Sequence, residues 1–137
     1  MIRTLVVLFA VAAAVATADL VHKALAISER GGAVLTHDRS ALYVAGLAAA
    51  ALVWAGAIAL VKSTSIALTG GMVLGGAVGN LASFALWPSL PGVPDPIIVG
   101  GIAFNLADVA AVLGLFLLLP AIIVFAKRNR ERLFEPV

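Results

Sequence analysis

The chain has 137 residues, 63% of them apolar and 12% charged, with no cysteine, a net charge of +2 and a mean hydropathy of +1.14. A soluble domain is about 45–50% apolar and about 25% charged, and a fold this small cannot bury the surplus, so an ordinary soluble protein is excluded and the excess must face lipid. The missing thiols exclude disulfides, thiolate metal sites and cysteine nucleophiles, and a small net charge with basic residues gathered at one end reads as a membrane-orientation signal, not a nucleic-acid surface.

A membrane helix takes about 20 apolar residues. The length therefore predicts an all-α integral membrane protein, a single domain of four antiparallel spans over about 5–27, 40–61, 66–87 and 102–125, followed by a basic tail over 127–137. The first stretch is interrupted near its end by Asp19, His22 and Lys23, whose spacing puts all three on one helix face. An Asp19–Lys23 pair there neutralises itself and ends the span. Arg3 before an apolar run and Ala16-Thr17-Ala18 also fit a cleavable secretory signal. Cleavage would leave three spans and set the basic tail against the positive-inside rule, so the first span is expected to be retained.

The third stretch carries Gly71, Gly75 and Gly79 at four-residue spacing, which gives one small-residue face for close helix packing. It ends in a proline-rich run, Trp87 to Pro96, that no helix continues through. With four spans both termini lie on one side. Arg3, Lys62, Lys127, Arg128, Arg130 and Arg132 fall on that side against Lys23, Arg30 and Arg39 on the other, so both termini are expected in the cytoplasm. Asp95 then sits in a proline-bounded outer loop, with a short extended segment expected around Ile97 to Val99. Phe104-Asn105-Leu106-Ala107-Asp108 opens the fourth span.

Ionisable groups within a bilayer are costly and tend to mark function. Asp95 and Asp108 are placed to converge at the outer surface, where two close carboxylates share one proton. That is the condition for aspartic-protease chemistry, in which the charged member activates water and the neutral member hydrogen-bonds the scissile carbonyl. The bland alternative is that Asp95 caps a turn and Asp108 hydrogen-bonds within the bundle. With two histidines and no cysteine, no metal or other cofactor is expected.

Together these motifs resemble the lipoprotein signal peptidases (signal peptidase II), four-span bacterial membrane aspartic proteases. The Asp19…Lys23 pair is similar to the family's Asp-x-x-x-Lys box, Gly75-Gly76-Ala77-Val78-Gly79-Asn80-Leu81 to its Gly-Gly-Ala-x-Gly-Asn-Leu box, and Phe104-Asn105-Leu106-Ala107-Asp108 to its Phe-Asn-x-Ala-Asp box. Asp95-Pro96-Ile97-Ile98-Val99 falls where the family has Val-Asp-Phe-Ile. The resemblance implies Asp95 and Asp108 as the catalytic dyad, Asn80 and Asn105 orienting it, and Asp19 with Lys23 bracing the helix ends. It also implies a diacylglyceryl-modified prolipoprotein substrate in the bacterial cytoplasmic (inner) membrane, cut before the lipid-bearing cysteine without a metal. The chain departs from the family at Ala82-Ser83-Phe84, where the pattern is x-Asp-Arg, and at His37 to Tyr43, where an Asn-x-Gly-Ala-Ala-Phe box is absent. Those departures keep open a non-catalytic relative that binds a lipidated or membrane partner, or acts as a small subunit of a membrane complex. A small transporter is disfavoured, because its carboxylate belongs near the midplane.

Overall fold

Runs of Ala, Leu, Val and Ile with no interior water to serve the backbone leave only helices for the long apolar stretches. A computed structural model describes residues 2–30, 34–38 and 40–130. It contains four helices, α1 (Ile2–Glu29), α2 (Ala41–Leu60), α3 (Thr64–Leu86) and α4 (Leu106–Arg128), each long and apolar enough to cross a membrane. Arg39, Arg132 and the rest of the tail beyond residue 130 lie outside the described residues. Side chains set the starts of three helices. Ser40 accepts a hydrogen bond from the Tyr43 amide at 3.2 Å, Ser63 from Ile66 at 3.4 Å, and Asn105 from Asp108 at 3.0 Å, each satisfying an amide that the helix itself leaves open.

The central helix is α3, which packs most extensively with α1 and α4 and less with α2. Its glycines make that possible. A Cβ on Gly75 would lie 2.7 Å from the Ala12 carbonyl, and one on Gly76 would run into the Ala107 carbonyl, so the backbones of α1 and α4 lie directly on α3. Near the terminal end of the bundle Leu8, Ala12, Ile58, Ile66, Ala67 and Leu74 form an apolar core, and Trp54 Nε1 donates to the Gly70 carbonyl at 3.0 Å. The side chains of α4 point mostly outward, Phe116 and Leu119 among them, as expected of a face covered by lipid.

At the other end, β1 (Thr36–Asp38) pairs antiparallel with β2 (Gly92–Pro94), so the α1–α2 connection is tied to the chain that leaves α3. β3 (Ile97–Val99) pairs antiparallel with β4 (Ile102–Phe104). This corrects the span read over 102–125, since residues 102–104 are strand and the helix begins at Leu106. The cause is Gly100-Gly101, with φ of 58° and 83°, a two-residue turn that only such backbone freedom supports in a hairpin. Asn105 then caps and starts α4.

Gly75→Val is expected to destabilise the fold by about 1–3 kcal/mol, seen as a lowered unfolding temperature in detergent. Gly46→Ala, whose Cβ would meet nothing within 4 Å, is expected not to lower it.

Candidate active site

The site grows from a charge pair inside the first helix. Asp19 and Lys23 stand one turn apart on α1, both with 0% of the side chain exposed, and their charges meet at 2.6 Å. Burying two ions is expensive unless every remaining donor and acceptor is used. Here they are used across three helices. The ammonium of Lys23 also donates to Asn80 Oδ1 at 2.9 Å and Ser83 Oγ at 3.0 Å on α3, which accounts for its three N–H groups. The other carboxylate oxygen of Asp19 accepts the Ala107 amide at 2.9 Å. That amide belongs to the first turn of α4, where an anion completes the open N–H groups and meets the positive end of the helix dipole.

Asn80 passes the network on. Its Nδ2 donates to Asp108 Oδ1 at 2.9 Å. Asp108 Oδ2 accepts the Asn105 amide at 3.2 Å, while Asn105 Oδ1 accepts the Asp108 amide, so the two residues form a capping box at the start of α4. The cap leaves one arm of the Asn105 amide free for another partner, and Nδ2 donates to Asp95 Oδ1 at 2.6 Å. Asn105 therefore touches both carboxylates. Asp95 is held from behind as well, because its amide donates to the Leu35 carbonyl at 2.8 Å and Arg30 Nη2 donates to the Pro96 carbonyl at 3.1 Å.

The residues singled out from sequence, Asp19, Lys23, Asn80, Asp95, Asn105 and Asp108, form one continuous chain of contacts. Ser83, which stands where the resemblance calls for a carboxylate, is buried and belongs to that chain through Lys23. It also donates to the Gly79 carbonyl at 2.8 Å. Leu35 and Arg30 were not singled out. A backbone carbonyl leaves no mark in a sequence, and Arg30 reads there only as an orientation charge. His22 stays outside the network, its Nδ1 buried without a hydrogen-bond partner.

The two carboxylates differ in access. Asp95 is 1% exposed, whereas Asp108 is half-buried and lines a groove of about 370 Å³ with Ile102, Phe104, Val109, Val112 and Leu113. A carboxylate at the head of an otherwise apolar groove suits a substrate that is itself largely apolar. Among the described residues no group of three His, Asp or Glu side chains is placed to hold a metal ion.

A family model described as signal peptidase (SPase) II matches residues 23–124. No curated protein and no solved structure matches the chain.

Removing one member of the buried pair strands the other. Lys23→Met is expected to destabilise the protein by about 3–5 kcal/mol, against about 0.5–1.5 kcal/mol for Ser83→Ala. Unfolding in detergent, followed by the yield of monodisperse protein, checks the difference.

Proposed function

We propose, because this chain belongs to the signal peptidase II family, that it is a membrane aspartic endopeptidase using Asp95 and Asp108 to release the signal peptide of diacylglyceryl-modified prolipoproteins. The family supports a lipoprotein signal peptidase role for a multi-pass membrane protein. The observation that carries the finer reading is Asn105, whose amide side chain reaches Asp95 while its backbone N–H reaches Asp108.

In this reading one carboxyl group is charged and the other carries the shared proton. The carboxylate removes a proton from a water as the water oxygen bonds to the scissile carbonyl carbon. The protonated partner hydrogen-bonds and then protonates the carbonyl oxygen. Collapse of the tetrahedral intermediate breaks the C–N bond as the leaving nitrogen takes the proton that the first carboxylate had accepted from water, while a hydroxyl of the intermediate gives its proton to the other carboxylate, so the pair again holds a single proton. Asn80 and Asn105 hold the carboxylates in register, so less orientation is lost on reaching the transition state. Cleavage falls just before the lipid-bearing cysteine, with no metal required.

The groove beside Asp108 receives the apolar part of the substrate. Asp95 is buried, so the scissile carbonyl approaches the pair from Asp108, the more open of the two carboxylates. The exposed apolar side chains of Ile98, Val99 and Ile102 on the hairpin support a reaction at the lipid surface. The sidedness that follows is a bacterial cytoplasmic membrane with both termini in the cytoplasm and the site at the outer leaflet. The four aspartate and asparagine contacts favour this reading over a binding-only relative, since a site that only docks a partner has no need of two carboxylates on one asparagine.

Asp108→Asn and Asp95→Asn are each expected to abolish processing of a diacylglyceryl-modified prolipoprotein, with folded yield in detergent retained. A gel-shift cleavage assay beside a known active peptidase reads the outcome. Processing that survives either substitution removes the aspartic mechanism, and no processing by the unaltered chain moves the reading to a binding role.

A further inference from the structure

Between Pro94 and Pro96 the backbone has a single amide N–H, that of Asp95, because proline has none. That N–H is taken by the Leu35 carbonyl at 2.8 Å. Pro94, Asp95 and Pro96 are all buried, so the carbonyl that follows Asp95 needs a donor from elsewhere. Arg30 supplies it through Nη2, at 3.1 Å from the Pro96 oxygen. Arg30 directly follows α1 and continues its hydrogen bonding, its amide donating to the Ala26 carbonyl at 3.1 Å.

Arg30 also shares a face with Lys23. The two are seven residues apart, close to two full turns at about 3.6 residues each. One cation of α1 thus reaches Asp108 through Asn80, and the next cation on the same face reaches the carbonyl of Pro96, the residue after Asp95. Resting on the proposed peptidase reading, we infer that Arg30 is a positioning residue that sets where the Asp95 carboxyl stands relative to Asp108. It acts through the Pro96 carbonyl and does not touch the reacting atoms. A hydrogen bond from a charged donor to a buried carbonyl is stronger than a neutral one and fixes direction as well as distance. The flanking prolines then transmit that fixation, since neither can turn about φ to absorb a displacement.

A residue that only holds the loop together would lower stability or substrate affinity. A residue that positions Asp95 acts on the chemical step. Steady-state cleavage by the full chain in detergent micelles separates the two. In Arg30→Gln, kcat is expected to fall about tenfold, the loss that follows from one charge-assisted hydrogen bond, with KM and unfolding temperature little changed. Arg30→Lys, which restores a cationic donor, is expected to recover most of the rate. A kcat for Arg30→Gln equal to that of the unaltered chain overturns the inference, and so does a loss that only tracks reduced folded protein.

Hydrogen–deuterium exchange gives a reading that does not depend on turnover. In a peptide spanning residues 94–96 the Asp95 amide is the one exchanging backbone group, and its uptake is expected to quicken in Arg30→Gln and to be restored in Arg30→Lys. Unchanged uptake overturns the inference even where cleavage proceeds. An unaltered chain that exchanges as expected but cleaves nothing overturns the peptidase reading instead, and with it the catalytic purpose of the clamp.

Discussion

The structure depends on a charge pair buried in a membrane helix. Asp19 and Lys23 are inaccessible to solvent, and two such ions are tolerated only where each has a full set of partners. Those partners lie on different helices. Asn80 and Ser83 come from α3, and the Ala107 amide from α4, so the requirement to satisfy one pair fixes three helices against each other. The glycines of α3 serve the same end. A side chain on Gly79 would begin 2.9 Å from Asp19 Oδ2, and the pair could then not reach across.

From that fixed point the site is built by a helix start. Asn105 occupies the N-cap of α4, a position whose backbone geometry is set by the helix it opens. Capping uses its side-chain oxygen and its own amide, and the remaining Nδ2 meets Asp95. One side of the carboxylate spacing is therefore inherited from a rigid helix start, while the loop contacts of Asp95 to Leu35 and of Pro96 to Arg30 set the other. Polar groups gather on the inward side of α4, and its outward side is apolar beside Asp108. The proposed chemistry thus stands at the boundary between a satisfied polar interior and lipid.

Much of this was legible in the residues. Four long apolar runs and the three-to-four-residue spacing of Asp19 and Lys23 are composition and periodicity, and both survive in the helices that form. The part proposed for Asn80 and Asn105 is legible only through the family boxes, because an asparagine in a span reads equally as packing. The start of α4 is not legible, since Ile102, Ala103 and Phe104 are as apolar as a span yet form a strand, and a short apolar run does not distinguish strand from helix. Gly100-Gly101 was the local sign of a turn. Ser83 reads as the loss of a carboxylate, and only the fold shows that its hydroxyl still serves Lys23. The hold on Asp95 through Leu35 depends on a carbonyl and on tertiary pairing of β1 with β2, neither of which a sequence displays.

The central claim is that two carboxylates share one proton and divide the work of acid and base. The most direct test is the pH dependence of kcat/KM for cleavage of a diacylglyceryl-modified prolipoprotein by the unaltered chain. A bell-shaped profile is the predicted result, with activity lost when the pair takes up a second proton and again when it gives up the first, both limbs belonging to the pair as a unit. A rate that rises along a single limb and then stays level would mean that one carboxylate acts alone, and would contradict the account.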